Sequence, residues 1–236
     1  MTTHVGTSGF QYAEWKGVFY PEDLPAAKML PYYAGHFSTT EINYTFHRIP
    51  SPKTIENWRK LTPEAFRFTL KAPQKVTHFA RLRNCADTVD YFFEVASSLG
   101  DRLGPILFQL PPNLKKDAAL LADFTNALPA SMKATFEFRH ASWFDDETYE
   151  TLRRRNLALC LADTEDLKTP EIATADWGYL RLRREDYTDG DVLRWKEFIQ
   201  ARTPEWSETF VYFKHEERGM GPKLGQQLIA LLAAGS

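Results

Sequence analysis

A chain of 236 residues with 43% hydrophobic and 25% charged side chains can bury a large core, which excludes an intrinsically disordered polypeptide and fits one α/β domain spanning residues 1–236. The formal net charge of −2 supplies no overall attraction to nucleic acid, and no apolar run approaches the roughly 18 residues of a membrane span. Cys85 and Cys160 fall in no metal-type spacing and make no disulfide framework, and the opening MTTHVGTSG lacks a basic region followed by an apolar run, so a cytoplasmic protein is expected.

In chain order, strand signals fall at residues 4–8, 39–46, 66–71, 106–110, 133–139, 157–163, 177–183 and 209–215. Helical signals lie between them. Residues 23–36 read as helical although Pro25 and Pro31 blur the bounds, and residues 51–61 start at Ser51-Pro52 with Ile55, Trp58 and Leu61 at helical spacing. Residues 86–99 place Val89, Phe92, Phe93, Val95, Ala96 and Leu99 on one stripe that stops at Gly100. Segments 117–127, 145–155, 190–202 and 222–234 read the same way, whereas 164–176 carries no clear helix.

Strand–helix alternation of this length implies parallel strands joined by crossovers, and the closed solution is a (β/α)8 TIM barrel. Five of the strands alternate apolar with charged or polar residues: EINYTF, FRFTLK, FEFRH, YLRLR and YFKH. One face then carries Glu41, Asn43, Arg67, Lys71, Glu137, Arg139, Arg181, Arg183 and Lys214, and the other Ile42, Tyr44, Phe68, Leu70, Phe136, Phe138, Leu180, Leu182 and Phe213. Clean alternation normally marks an antiparallel sheet with one wet face. The long helical connections rule that out, so the polar face is expected inside the barrel, giving a polar, charged mouth.

The segments GTSGFQYAEWKGVFYPEDLP, FSTTEINYTFHRIPS, LGPILFQLPPNL, FEFRHASWF and VYFKHEERGMGPKL together resemble the YecE-like family, domain of unknown function 72. The resemblance runs from about Val5 to Leu224. It implies a TIM barrel and supplies neither a reaction nor a cofactor.

In such barrels the active site lies at the C-terminal strand ends. These are Thr7 and Ser8, Asn43 through His47, Lys71, Gln109, Glu137 with Arg139 and His140, Asp163, Arg181 with Arg183, and Lys214 with His215. His78 and Arg81 follow from the loop after strand three. The favoured reading is an enzyme, hydrolase-like in character, acting on an anionic substrate, with a phosphate-bearing compound as one candidate. Lys71, Arg139, Arg181 and Lys214 would bind the anion, Glu41 or Glu137 would do acid–base work, and Asn43, Gln109 and His140 would orient substrate. The alternative for the same charges is a set of mutual ion pairs, Glu41 with Lys71 and Glu137 with Arg139 or Arg181.

Other readings compete. A metal-dependent hydrolase or isomerase would draw on Glu41, Glu137, His140, Asp163 and His215, against the cost of nearby cations. A glycosidase would pair Glu41 with Glu137, although strands two and five stand far apart around the ring. A non-catalytic ligand or nucleic-acid binder would use the basic mouth with Phe10, Tyr12, Trp15, Phe19 and Tyr20, but that cluster is expected to form a small core under the first loop. The expected partner is therefore an anionic small molecule, with nucleic acid second and no membrane. The turn GMGPK before the last helix is read as either a phosphate cradle or a plain turn. The sequence names no cofactor, assigns no metal residue and leaves the oligomeric state open.

Overall fold

Apolar residues at alternate strand positions need a hydrophobic layer outside the sheet, and the amphipathic helices supply it. The computed structural model describes residues 1–215 and 217–234, without the side chain of Arg218; Glu216, inside the last family-like segment, lies outside the described residues. Eight parallel strands close into a barrel in chain order: β1 (Thr2–Ser8), β2 (Thr39–Ile42), β3 (Arg67–Lys71), β4 (Leu103–Gln109), β5 (Ala134–Glu137), β6 (Ala158–Asp163), β7 (Trp177–Leu182) and β8 (Glu208–Phe213). The helices are α1 (Ala26–Ala34), α2 (Pro52–Leu61), α3 (Ala86–Ser97), α4 (Ala118–Ala127), α5 (Asp146–Arg153), α6 (Asp189–Ala201) and α7 (Met220–Ala233). No α-helix joins β6 to β7, as the absence of a signal over 164–176 implied.

Local chemistry sets the helix starts. Ser51 accepts from the Thr54 amide at 3.2 Å, Asp117 from Leu120 at 3.0 Å and Asp145 from Thr148 at 3.0 Å. Thr188 and Asp191 form a capping box at the start of α6. Gly100 takes φ +60° in a short turn after α3. Gly219 is likewise left-handed at φ +67°, and Gly221 follows within the first turn of α7, where an added Cβ would stand 2.9 Å from the His215 carbonyl oxygen. The GMGPK segment is thus the start of α7, with Gly219 at its N-cap and Gly221 packed against the His215 carbonyl.

Strand β2 stops at Ile42 rather than at residue 46. Asn43 turns into the helical region, and Tyr44–Phe46 form a single turn. The hydroxyl of Thr45 lies 3.0 Å from the Ile42 carbonyl and 2.7 Å from the Lys71 carbonyl, which ties this turn to the end of β3.

The barrel wall separates two cores. Outside, Ile42, Phe68, Leu70, Phe136, Leu180 and Phe213 are buried against the helices. Inside, Leu107, Ala158, Cys160, Trp177, Tyr179, Phe210 and Tyr212 pack the lower lumen. Each such large apolar side chain taken from water contributes roughly 1.5–3 kcal/mol. The lumen is therefore not polar throughout: its lower layers are conventional and the charges sit on top of them. Polar atoms in the middle layer are paired, with the Tyr212 hydroxyl 2.7 Å from both Thr39 Oγ1 and Thr69 Oγ1. The aromatic cluster after β1 does form a small core, in which Trp15, Phe19 and Tyr20 are buried beside Tyr33 and Phe37. His4 sits at the bottom, stacked on Phe210 and 3.0 Å from Glu208.

Candidate active site at the barrel mouth

Register brings the upper lumen together. Ser8 stands opposite Glu41, Glu41 opposite Thr69, and Gln109 opposite Glu137, so these side chains share one level at the C-terminal strand ends. Arg181 rises from β7 into the same space. Glu41, Glu137 and Arg181 are almost wholly closed to solvent, and charges so placed must compensate each other.

They do so as a triad. Arg181 donates from Nη2 to Glu41 Oε1 at 2.7 Å and from Nη1 to Glu137 Oε2. Ser8 Oγ donates to Glu41 Oε1 and the Tyr179 hydroxyl to Glu41 Oε2, each at 2.5 Å. On the other side, Gln109 Nε2 and Arg139 Nε each donate to Glu137 Oε1 at 2.9 Å. Arg183 Nη1 approaches that oxygen at 3.7 Å, too far for a hydrogen bond. Asn43 Nδ2 donates to Ser8 Oγ at 2.8 Å. All four carboxylate oxygens therefore accept at least one hydrogen bond.

The electrostatics follow. Burial pushes the Glu137 carboxyl up, but Arg181, Arg139 and Arg183 more than reverse it and hold it well below the usual carboxylate range. Glu41 is also net lowered: burial opposes ionisation, and Arg181 with the bonds from Ser8 and Tyr179 favours it. Lys71 moves the other way. Burial and the nearby Arg181 and Lys214 charges outweigh the two glutamates and bring its ammonium down to about 8. Its Nζ lies 4.0 Å over the Phe46 ring, and among the described residues it forms no ion pair. His78, edge-on to the other side chain of the same contact at 4.9 Å from Phe46, is lowered by burial and by Lys71 and Arg139.

The expected site residues divide into those gathered here and those left out. Glu41, Asn43, Lys71, Gln109, Glu137, Arg139 and Arg181 converge, and Lys214 lies close enough to act on Lys71. Glu41 pairs with Arg181 rather than with Lys71, which corrects the adjacent-strand pairing: the long guanidinium crosses the lumen, whereas the Lys71 amine rests on Phe46. His140 does not join, because its Nδ1 is committed to Ser142 in the turn after β5. Asp163 is on the outer face and accepts from the Tyr187 hydroxyl at 2.7 Å, and His215 bonds the Arg184 carbonyl. The proposed metal ligands are thus dispersed, and no three His, Cys, Asp or Glu side chains cluster among the described residues. Arg181 also fills the space between the two glutamates, where a glycosidase would hold its sugar.

Tyr179 is the partner that a reading of strand ends omits. It starts one layer lower and reaches up to Glu41, and its place two residues before Arg181 on the same face is the signal for it.

A cavity of about 290 Å³ opens over this layer, its polar lining formed by Glu137, Arg139, Thr164, Glu165, Asp166 and Arg183. A second of about 370 Å³, with Phe10, Tyr12, Asn43, Tyr44 and Trp58, flanks the β1–β2 side. The larger hollow of about 560 Å³ between α3 and α4 shares no residue with the strand-end ring, so size does not select it.

No helix among the described residues is long and apolar enough to cross a membrane. The fold resembles that of a DUF72 family protein from Thermotoga maritima, with a TM-score of 0.85 and 27% identity over 99% of this chain and 100% of that one. A DUF72 family protein from Enterococcus faecalis has the same fold, with a TM-score of 0.82 at 16% identity over 98% of this chain and 96% of that one. Among curated proteins, the chain is 36% identical to UPF0759 protein YecE of Escherichia coli (strain K12) over 52% of its length; that stretch spans 46%, about half, of YecE. It is 24% identical to UPF0759 protein YunF of Bacillus subtilis (strain 168), over 90% of this chain and 89% of that protein. The family model described as protein of unknown function DUF72 matches residues 4–236, and the chain belongs to that family.

Proposed function

We propose that this protein is an enzyme acting on an anionic substrate held at the C-terminal mouth of the barrel. One observation carries the reading: around the two buried glutamates the mouth also gathers Lys71, Arg139, Arg181, Arg183 and Lys214, and only Arg181 has both ends of its guanidinium consumed by carboxylates. Arg139 keeps about a third of its side chain exposed at 34% beside the cavity, and Arg183 Nη1 has no hydrogen-bond partner among the described residues. Guanidinium groups so presented suit a carboxylate or phosphate.

In this reading the anion docks on Arg139 and Arg183, with Lys214 adding charge from the residue after β8. Gln109 fixes Glu137 directly, and Asn43 fixes Ser8, which in turn bonds Glu41. Glu41 and Glu137, the acid–base candidates of the sequence, are strongly ionised and fully bonded, which suits them to orienting the arginines. A carboxylate this far below neutrality is a weak base.

Turnover decides between an enzyme and a non-catalytic binder. Purified protein is offered phosphomonoesters, phosphodiesters, oxo acids and single-stranded nucleic acid, and products are followed by mass spectrometry. Conversion of one anionic class, with KM raised at least tenfold in Arg183→Ala, supports the reading. Binding of every anion with conversion of none makes the protein a binder.

A further inference from the structure

We infer that Lys71 is a nucleophilic amine that captures the carbonyl carbon of an anionic aldehyde or ketone as an imine. The inference rests on the anion site above and names its substrate class: a carbonyl compound carrying a carboxylate or a phosphate.

The placement is specific. Lys71 ends β3 at the barrel mouth, half-buried, with its amine over Phe46 and no carboxylate within ion-pair distance among the described residues. The glutamates that would neutralise it are taken by Arg181 and Arg139. A lysine among cations, partly withdrawn from water, is the setting in which the free amine becomes available near neutral pH. The segment that follows is also irregular: a π-helical turn spans Lys75–Phe79, and Arg81, Leu82 and Asn84 all have positive φ. Such backbone is costly and gathers at functional sites. It carries His78 edge-on to the Phe46 ring that Lys71 covers, so an imidazole and the amine share one aromatic ring, and Lys71 is among the charges that lower His78.

The step balances without a redox partner. The Nζ lone pair forms a bond to the carbonyl carbon, the carbonyl π pair goes to oxygen, and the proton lost by nitrogen passes to that oxygen. The carbinolamine then breaks its C–O bond and releases one water as C=N forms. His78 is the group placed to carry the proton. Arg139 and Arg183 hold the anionic group, and the imine nitrogen draws electrons from the adjacent carbon.

The test is reductive trapping on the full chain. Glyoxylate and glyceraldehyde 3-phosphate serve as the carboxylate and phosphate probes, each with cyanoborohydride at pH 7.5, and adducts are mapped by peptide mass spectrometry. An amine at about 8 has a free-base fraction about two orders of magnitude above that of an ordinary lysine at that pH. The expected result is that Lys71 is modified at least tenfold faster than the exposed Lys53 and Lys75, that inorganic phosphate slows this, and that Lys71→Met removes it. Parent protein in which Lys71 reacts no faster than Lys53 overturns the inference, whether or not the variant folds. Thermal protection of the parent by phosphate alone is read separately, so failure of the imine and failure of the anion site are told apart.

Discussion

Arg181 Nη2 lies 2.7 Å from Glu41 Oε1, with both side chains sealed from solvent at 1% and 0% exposure. The same guanidinium also serves Glu137, so one arginine bridges two carboxylates from different strands of the barrel, while Arg139 adds a second positive charge on Glu137. Removing Arg181 leaves Glu41 without a cation partner among the described residues and Glu137 with Arg139. Arg181→Met is expected to lose about 3–5 kcal/mol of stability, the usual cost of an uncompensated buried charge. Adding Glu41→Gln to that variant should recover part of the loss, so urea unfolding should show the double variant losing less stability than the sum of the two single variants.

Lys71 predicts the reverse. Its ammonium is favoured less in the folded chain than in water: it falls from an ordinary 10.5 to about 8 through burial, Arg181 and Lys214, with Glu41 and Glu137 opposing, and with the neighbouring His78 itself lowered. Between those values the unfolded chain binds more protons, so stability rises as pH climbs from about 8 to 10.5. Below that window the charged, half-buried amine is a standing penalty. Lys71→Met should therefore gain about 1–3 kcal/mol at pH 7 and lose the alkaline rise, as read by denaturant unfolding across pH. A destabilised variant would mean the amine has a structural partner.

Part of the acid side is set at the base of the barrel, apart from the lowered glutamates at the mouth. Glu208 accepts from His4 and Lys133, which overcome its burial and lower its carboxyl from 4.5 to about 2. This stability is present above pH 4.5 and is lost as pH falls toward 2. Glu208→Gln should flatten the acid limb of the stability–pH curve in that window and cost up to about 3 kcal/mol at pH 7, with phosphate binding at the far end unchanged.

Tyr212 offers a control for the middle layer. Tyr212→Phe removes the hydroxyl shared by Thr39 and Thr69 and should cost about 1–2 kcal/mol. Trapping at Lys71 should persist in it, since Tyr212 is one layer below the charges.

Strand phase made the ionic layer readable before any coordinates. Glu41, Glu137 and Arg181 each sit at an inward position of an alternating strand, and a period of two leaves no other choice once the outer face is apolar. Asp163 shows the limit: β6 reads as a continuous apolar run, LALCLAD, so its phase is not marked and its outward aspartate passes for a mouth residue. Partner choice is legible in part. Glu137 pairs with Arg139 and Arg181, as the strand faces imply, whereas Glu41, expected beside Lys71, pairs with Arg181 because the long guanidinium crosses the lumen. His140 turns its Nδ1 to a serine two residues on, a local bond that strand-end reasoning does not foresee.

The proposed function requires an anion site built on Arg139 and Arg183 at the mouth. Calorimetric titration of inorganic phosphate into the parent and into Arg183→Ala, at matched ionic strength, reads that site. Saturable binding to the parent that weakens at least tenfold in the variant is expected for loss of a charge-assisted hydrogen bond. No saturable heat with the parent, or equal affinity in the two proteins, would contradict it.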